Sequence, residues 1–210
     1  MLEQAGLVAV VQGWEKQIMV ATQERQAERH YTVEEFEQVY LSPENNNRLY
    51  ELINGKVSEK MPTQQHGLIA LNIGFALTMY AKQHKTGRPG TEVRHQGLQD
   101  HRNSRLPDLS FTCTRNALIE QGSVPGMPEL AVEIKSPSDT ITEMRETAAY
   151  YLANGSRLVW LVYPNYRLLE VYRPDADVEI LGEEDTLTGG DVLPGFTLAV
   201  REVFADPLAE

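Results

Sequence analysis

Two kinds of hydrophobic pattern follow one another along this chain, one with the period of a helix and one with the period of a strand. Thr32 and Glu35 have the spacing of a capping box, which predicts a short helix that reaches about residue 41. Asn54-Gly55 then separates two strand-like runs, 50–53 and 56–59, and supplies the positive φ angles of a type I′ turn. The pattern therefore predicts a helix followed by a β-hairpin.

A long helix is predicted next, over residues 64–85, with Gly87 as its C-cap. Its predicted apolar stripe has residues three or four positions apart: Leu68, Leu71, Phe75 and Met79. Strand-like runs follow at about 91–96 and 106–113. We expect the helix to cover one face of the sheet to which these strands belong.

The centre of the sequence has the order of a parallel crossover. A strand at 129–135 precedes a helix at 140–154, which residues 136–139 would cap and Gly155 would end. The run 157–163 is continuously apolar, as expected of a strand buried on both faces. Because the two strands flank one helix, they should be parallel and joined by a right-handed crossover.

Shorter strand-like runs at 167–173, 178–181 and 194–200 predict a C-terminal β-meander. Residues 1–30 have loosely spaced apolar positions and are interpreted as an N-terminal extension, which leaves 31–210 as one domain. Together the elements predict an α/β fold, in which a central mixed β-sheet is flanked by helices, with an N-terminal hairpin and a C-terminal meander.

Composition is that of an ordinary globular protein, with 41% hydrophobic and 23% charged residues. The single cysteine, Cys113, excludes an intramolecular disulfide and a cysteine-based zinc site. No apolar stretch approaches the roughly 20 residues that a membrane span needs, and no basic region precedes the N-terminal apolar patch as it would in a signal peptide. We therefore expect a cytoplasmic protein without a membrane partner.

Charge is distributed unevenly along the chain. The formal net charge of −11 argues against avid, general binding of nucleic acid. Residues 82–105 nevertheless contain six Lys and Arg against two acids, whereas residues 174–210 contain ten acids and one Arg. The basic segment is either a solvated loop or an edge that contacts phosphates beside an acidic centre. Its three histidines are interpreted as surface residues: His84, His95 and His101.

Charged side chains interrupt the apolar strand at 129–135. Since side chains alternate along a strand, Glu133 and Lys135 should share one face of it. Burying such charges costs free energy unless they are paired or bound to a ligand. Asp108, which follows a proline in the preceding strand, could complete the group. The residues by themselves indicate either a metal-assisted hydrolase site or a buried ion pair.

Asp108 behind its proline, followed by Glu133-Ile134-Lys135, resembles the PD-(D/E)XK signature of restriction-endonuclease-like nucleases. Over roughly residues 32–204 the chain is also similar to the Uma family of restriction-endonuclease-like proteins, in the ordered segments YELINGKV, HGLIALNI, LPDLSF, ELAVEIKSPSDT, YLANGSRLVWLVYP, VYRP and DVLPGF. The resemblance implies a restriction-endonuclease-like fold and a Mg²⁺- or Mn²⁺-dependent endonuclease that acts on DNA. A homodimer is expected, because cutting both strands needs two sites.

The resemblance also implies roles for individual residues. Asp108 and Glu133 would bind the metal, with the Ile134 carbonyl as a third donor, because Mg²⁺ prefers oxygen ligands. Lys135 would orient or deprotonate the attacking water and offset charge on the scissile phosphate.

Four further positions bear on this site. Glu51, in YELINGKV, resembles a further acid that such nucleases bring to the metal, although it could also be a solvent-facing strand residue. His66 is interpreted as a helix-start residue that supports the site rather than as a metal ligand. Family members commonly have a lysine where this chain has Thr147, and an Asp-Pro pair where it has Tyr163-Pro164. Both departures concern substrate contacts and activity rather than the metal ligands.

Two other functions stay open. The chain could be a catalytically degenerate nuclease-fold protein that acts as a binding or assembly module, in which case Asp108, Glu133 and Lys135 form a structural salt-bridge cluster. It could also hydrolyse another phosphoester, which the low isoelectric point of about 5.0 favours.

Overall fold

A computed structural model describes residues 29–40, 42, 45, 48–113 and 117–208. The predicted N-terminal extension lies outside the described residues except for its last two positions. The helices in the described part are α1 (Val33–Tyr40), α2 (Gln64–His84), α3 (Ile141–Ala153) and α4 (Val200–Val203). None of them is long and apolar enough to cross a membrane.

The strands fall into one large sheet and three small ones. In chain order they are β1 (Leu49–Ile53), β2 (Lys56–Lys60), β3 (Arg88–Thr91), β4 (His95–Gln96), β5 (Leu109–Thr112), β6 (Val124–Pro125), β7 (Leu130–Ile134), β8 (Leu158–Tyr163), β9 (Leu168–Tyr172), β10 (Glu179–Leu181), β11 (Thr186–Gly189) and β12 (Leu193–Ala199). The large sheet has the order β10-β9-β8-β7-β5-β3. Its β7 and β8 are parallel and joined through α3, while its other pairs are antiparallel. The predicted mixed sheet and parallel crossover are confirmed.

Alternation along β7 divides the core between the two faces of the sheet. Leu130, Val132 and Ile134 belong to the larger core, which α2 and α4 cover. Ala131 belongs to the smaller core beneath α3. Because both faces are covered, every residue of β8 is buried, as its continuous apolar run predicts.

The β1–β2 hairpin forms beside the large sheet, with the predicted turn. Asn54 has φ 50° and Gly55 has φ 81°, as a type I′ turn requires. Tyr50 and Leu52 pack against α1 in a small core of their own. The alternate positions of β1, Glu51 among them, therefore face away from that core.

The predicted apolar stripe of α2 is wrong. Three of its members are largely exposed, Leu71 at 67%, Phe75 at 66% and Met79 at 51%. The buried face consists instead of Ile69, Ile73, Leu77 and Tyr80. Apolar residues occur on both sides of this helix, so periodicity alone does not select the buried face. The sheet selects the side with small residues, where an added Cβ on Gly74 would lie 3.1 Å from Leu109.

Both predicted caps of the long helices move by a few residues. Lys85, with φ 55°, is the C-cap of α2, whereas Gly87 lies against β5 because its lack of a side chain permits a close approach. Thr140 is the N-cap of α3 and forms a capping box with Glu143, so residues 136–139 form the turn before the helix.

The run predicted as one strand at 91–96 is divided between two sheets. β3 ends at Thr91, and Glu92 has φ 51°, which turns the chain away from the large sheet. β4 then pairs with β6. His95 is fully buried there, so its prediction as a surface residue is wrong. β11 is not predicted by the pattern because its sequence, TLTG, is short and has one apolar residue.

Candidate functional site

The two predicted acids come together where β5 and β7 are neighbours. Leu109 pairs with Val132 in this antiparallel ladder, so the residue before β5, Asp108, lies beside Glu133. Asp108 is 2% exposed and Glu133 is 9% exposed. Two buried carboxylates that lie side by side need cationic or hydrogen-bonding partners.

Asp108 has three such partners in the structure. Its Oδ2 accepts a hydrogen bond from the Ile134 N–H at 2.6 Å and lies 2.9 Å from His66 Nε2. Its Oδ1 accepts one from Lys60 Nζ at 2.6 Å. Burial by itself would raise the pKa of Asp108, but Lys60 and His66 outweigh it and hold that pKa below its usual value. His66 therefore contacts a proposed ligand, and its supporting role at a metal site stays a prediction.

Glu133 has fewer polar contacts than Asp108, and one of them is longer. Its Oε1 accepts a hydrogen bond from the Tyr151 hydroxyl at 2.8 Å, and its Oε2 lies 3.4 Å from Lys60 Nζ. Burial raises the pKa of Glu133 to about 8, against the opposing effect of Lys60. Tyr151 lies on the face of α3 that packs on the sheet.

Lys60 is a site residue that sequence reasoning missed. Its ammonium donates to Asp108 and to the Leu106 carbonyl at 2.8 Å, and it contacts Glu133. The two carboxylates raise its pKa, although burial alone would lower it. The hairpin register contained the signal, because Glu51 pairs with Ser58 and Lys60 is two residues further along the same face.

An open cavity of about 730 Å³ lies above the acids. Lys60 and Arg105 are the only Lys and Arg in its lining among the described residues. Eight acids line it: Glu51, Glu59, Glu92, Asp108, Glu133, Asp139, Glu143 and Glu146. The cavity is therefore strongly acidic and would attract cations.

Glu51 and Glu92 add two carboxylates to the walls of this cavity. The Glu51 side chain is 14% exposed and its carboxylate lies 3.9 Å from Arg105 Nη1, so Glu51 faces the cavity rather than open solvent. Burial raises the pKa of Glu92 to about 7. The sequence did not single out Glu92 as a site residue. Glu92 reaches the cavity because its own φ of 51° turns the chain after β3, and periodicity does not predict such a turn.

Lys135 lies apart from this group. Its Nζ donates to the Ser136 carbonyl at 3.0 Å, and its side chain lines a smaller cavity of about 70 Å³ together with His66 and Tyr163. The position where family members commonly have a lysine, Thr147, does line the large cavity. The structure thus brings Asp108, Glu133 and Glu51 to one cavity, while the catalytic role of Lys135 stays a prediction.

Tyr163, one of the two departures from the family pattern, belongs to a second buried network. Glu170 accepts hydrogen bonds from Tyr163 at 3.0 Å, from Tyr172 at 2.7 Å and from the Arg145 guanidinium. Burial would raise the pKa of Glu170, but these donors outweigh it and lower that pKa. Tyr163 and Arg145 therefore stabilise the buried carboxylate of Glu170 on β9.

The oxygen atoms at the acid pair fit a divalent cation in type. Asp108 Oδ1, Glu133 Oε2 and the Leu106 carbonyl surround one cation, the Lys60 ammonium, and Mg²⁺ prefers the same kind of donor. Within the described ranges, no group of three or more His, Cys, Asp or Glu side chains is arranged to hold a metal by itself. A metal here would need backbone oxygen or water as additional ligands.

Comparisons with known proteins agree with this architecture. The chain matches a family model, Uma2, described as putative restriction endonuclease, over residues 33–201. It is similar to the crystal structure of a putative nuclease belonging to DUF820 from Anabaena variabilis ATCC 29413, with 24% identity and a TM-score of 0.69, over 82% of this chain and 97% of that chain. No curated protein matches the chain in sequence.

A weaker match is to the cryo-EM structure of a DrdV–DNA complex, with 17% identity over 60% of this chain and 75% of that chain. Its TM-score of 0.30 is too low to support an argument. The family match, by contrast, runs from α1 to α4 and includes both acids of the pair, Asp108 and Glu133. The restriction-endonuclease-like fold is therefore confirmed, and the chain belongs to the Uma2 family of putative restriction endonucleases.

Proposed function

We propose that this chain is an endonuclease that hydrolyses DNA phosphodiester bonds with Mg²⁺ or Mn²⁺ bound at Asp108 and Glu133. The observation that carries the proposal is the acid pair itself. Two buried carboxylates from neighbouring strands share one cation at the wall of an open cavity of about 730 Å³. Acids held this way are the usual means of placing a divalent ion beside a phosphate.

Asp108 and Glu133 would hold the metal in this proposal, with the Ile134 carbonyl as a third donor and Glu51 as a further acid. A bound Mg²⁺ would supply Lewis-acid stabilisation of the negative charge that develops on the phosphate. His66 bonds to the Asp108 oxygen that faces away from the cation and so orients that carboxylate.

Lys135 is proposed to orient or deprotonate the attacking water. It directly follows β7, the strand that contains Glu133. To act at the phosphate, its ammonium must leave the Ser136 carbonyl that it contacts in this structure. A side chain with a flexible four-carbon stem can make that change by rotation about its own bonds.

The cutting assay that tests this proposal uses the purified full chain and supercoiled DNA with Mg²⁺ or Mn²⁺. We expect Asp108→Asn to abolish cutting and Lys135→Ala to slow it about 100-fold or more, as loss of a general base does. Glu146→Gln, an exposed acid of the cavity, is the matched control and should cut at the rate of the wild type.

Equal cutting by Asp108→Asn and the wild type would disprove the assignment of the site. Equal cutting by Lys135→Ala would remove Lys135 from the mechanism and leave the acid pair in it.

A second candidate function is favoured by the acids of the cavity. Eight carboxylates against one Lys and one Arg repel a polyanion, so a small phosphoester would enter more readily than DNA. Hydrolysis of bis(p-nitrophenyl) phosphate by the wild type, with no cutting of DNA and no activity in Asp108→Asn, would select this function.

The non-catalytic alternative makes a different prediction. If the acid pair is a structural cluster only, calorimetry will show no saturable binding of Mg²⁺ or Mn²⁺, and Asp108→Asn will be as stable as the wild type or more so. Homodimer formation also stays a prediction. Sedimentation of the full chain at several concentrations tests it directly.

A further inference from the structure

Lys60 contacts the same two oxygen atoms that a bridging metal would need. Asp108 Oδ2 is already bonded to protein donors, the Ile134 N–H among them. Glu133 Oε1 is bonded to the Tyr151 hydroxyl. Asp108 Oδ1 and Glu133 Oε2 are the carboxylate oxygens that face a cation in the structure, and Lys60 Nζ lies 2.6 Å and 3.4 Å from them. A divalent ion held by these two oxygens would take the place of this ammonium.

All three N–H donors of the Lys60 ammonium already have acceptors in this position. An ammonium has three N–H donors, and the Leu106 carbonyl at 2.8 Å accepts the third. Its side chain is 17% exposed. In this position Lys60 neutralises the acid pair but has no donor left for a substrate phosphate.

The side chain of Lys60 lies where rotation about its own bonds would carry it from the acid pair into the cavity. It is the last residue of β2, and the two residues after it, Met61 and Pro62, are exposed. Its flexible stem lies beside the large cavity. Glu51, on the same face of the hairpin, provides a carboxylate in that cavity for the displaced ammonium.

We propose that Lys60 is an internal competitor for the metal, which occupies the Asp108–Glu133 pair in the metal-free protein and moves into the cavity when Mg²⁺ or Mn²⁺ binds. In the cavity its positive charge offsets the charge of the surrounding acids, and its ammonium contacts the substrate phosphate. This inference rests on the proposed function, because it takes the acid pair as the metal site.

Calorimetric titration of the full chain with Mn²⁺ tests the competition. We expect Lys60→Met to bind one Mn²⁺ about tenfold or more tightly than the wild type, because the apparent dissociation constant increases as the fraction of open sites falls. Lys56→Met is the matched control, since Lys56 lies in the same strand on the same face but is exposed. It should bind Mn²⁺ like the wild type.

The outcomes separate this inference from the proposed function. Equal Mn²⁺ affinity in the wild type and Lys60→Met would overturn the competition and leave the metal site standing. No Mn²⁺ binding by either protein would overturn both.

A measurement on the wild type covers the case in which Lys60→Met does not fold. In ¹⁵N-labelled protein without metal, the Lys60 ammonium should give a signal protected from exchange with water, because all three of its protons are bonded. Saturating Mg²⁺ should remove that protection. A signal that keeps its protection at saturating Mg²⁺ would overturn the proposal.

Discussion

At the scale of single residues, the pKa values of the two acids of the site are shifted in opposite directions. Asp108 accepts three hydrogen bonds, and two of the donors, Lys60 and His66, hold its pKa low against the effect of burial. Glu133 has one short hydrogen bond and a longer contact with Lys60. Burial therefore dominates at Glu133 and raises its pKa to about 8. Neighbouring carboxylates commonly separate their pKa values in this way, because one ionised acid disfavours ionisation of the other.

Tyr151→Phe tests the support of Glu133 by α3. The substitution removes the hydroxyl donor and leaves a buried oxygen without it, so the free energy of unfolding should fall by about 1–2 kcal/mol. Urea unfolding measures the change. Tyr166→Phe, at an exposed tyrosine, should leave the stability unchanged. Equal stability of Tyr151→Phe and the wild type would mean that the hydroxyl does not stabilise Glu133.

Glu170 predicts a pH dependence of stability. Its folded pKa is lowered below the unfolded value near 4.5, so its stabilisation is present above that pH and is lost as the pH falls through the folded pKa. Glu170→Gln should cost about 1–2 kcal/mol at pH 7. The difference from the wild type should shrink as the pH is lowered from 5 towards 3. Unfolding curves at several pH values measure it, and a difference that is constant with pH would contradict the assignment.

At the scale of elements, three secondary-structure elements beside the cavity each place one side chain in contact with the acid pair. The first turn of α2 places His66, whose N–H is bonded to the N-cap Thr63. The end of β2 places Lys60, and the third turn of α3 places Tyr151. α2 packs on one face of the large sheet and α3 on the other, while β2 belongs to the neighbouring hairpin, so the geometry of the pair depends on how closely separate elements approach one another.

Gly87→Ala tests one such close approach. An added Cβ would lie 2.4 Å from both the Phe111 ring and the Thr112 carbonyl, so the substitution should destabilise the protein by about 1–3 kcal/mol. Gly67→Ala is the matched control in α2, since nothing lies within 4 Å of its added Cβ. It should stabilise the protein by about 0.5–1 kcal/mol, because alanine favours a helix more than glycine. Thermal unfolding compares the two, and equal effects would contradict the packing argument.

At the scale of the whole molecule, charge works against the proposed substrate. The chain has a net charge of −11, and its cavity has acidic walls. The basic segment 82–105 compensates only in part, because Arg94 and Arg105 are turned inward while Lys82, Lys85, Arg88 and Arg102 are exposed. The proposed binding of DNA would therefore need a cation at the cavity.

DNA association should accordingly depend on a divalent ion. At constant ionic strength we expect the wild type to bind a labelled duplex at least about tenfold more tightly with Ca²⁺ than with EDTA, because the ion reverses the local repulsion. Asp108→Asn should show no such difference. Fluorescence anisotropy measures both. Equal binding with Ca²⁺ and with EDTA would show that DNA does not contact the acid pair.

The sequence by itself determined the order and type of the main elements and singled out Asp108 and Glu133 as two acids that could meet from neighbouring strands. These follow from local properties: the Asn54-Gly55 turn, the apolar run of β8, and alternation along β7. Once β5 and β7 are neighbours, the two acids lie side by side. No further contact is needed to bring them together.

Only the tertiary structure decided which side chains complete the site. Lys60 and Glu133 are 73 positions apart in the chain, and their contact depends on where the hairpin lies against the sheet. The buried face of α2 was likewise decided by packing, because apolar residues occur on both of its sides. Lys135 follows the end of β7, where the chain leaves the strand, so strand alternation no longer sets its direction. Periodicity describes the neighbours within one element, whereas these contacts join separate elements.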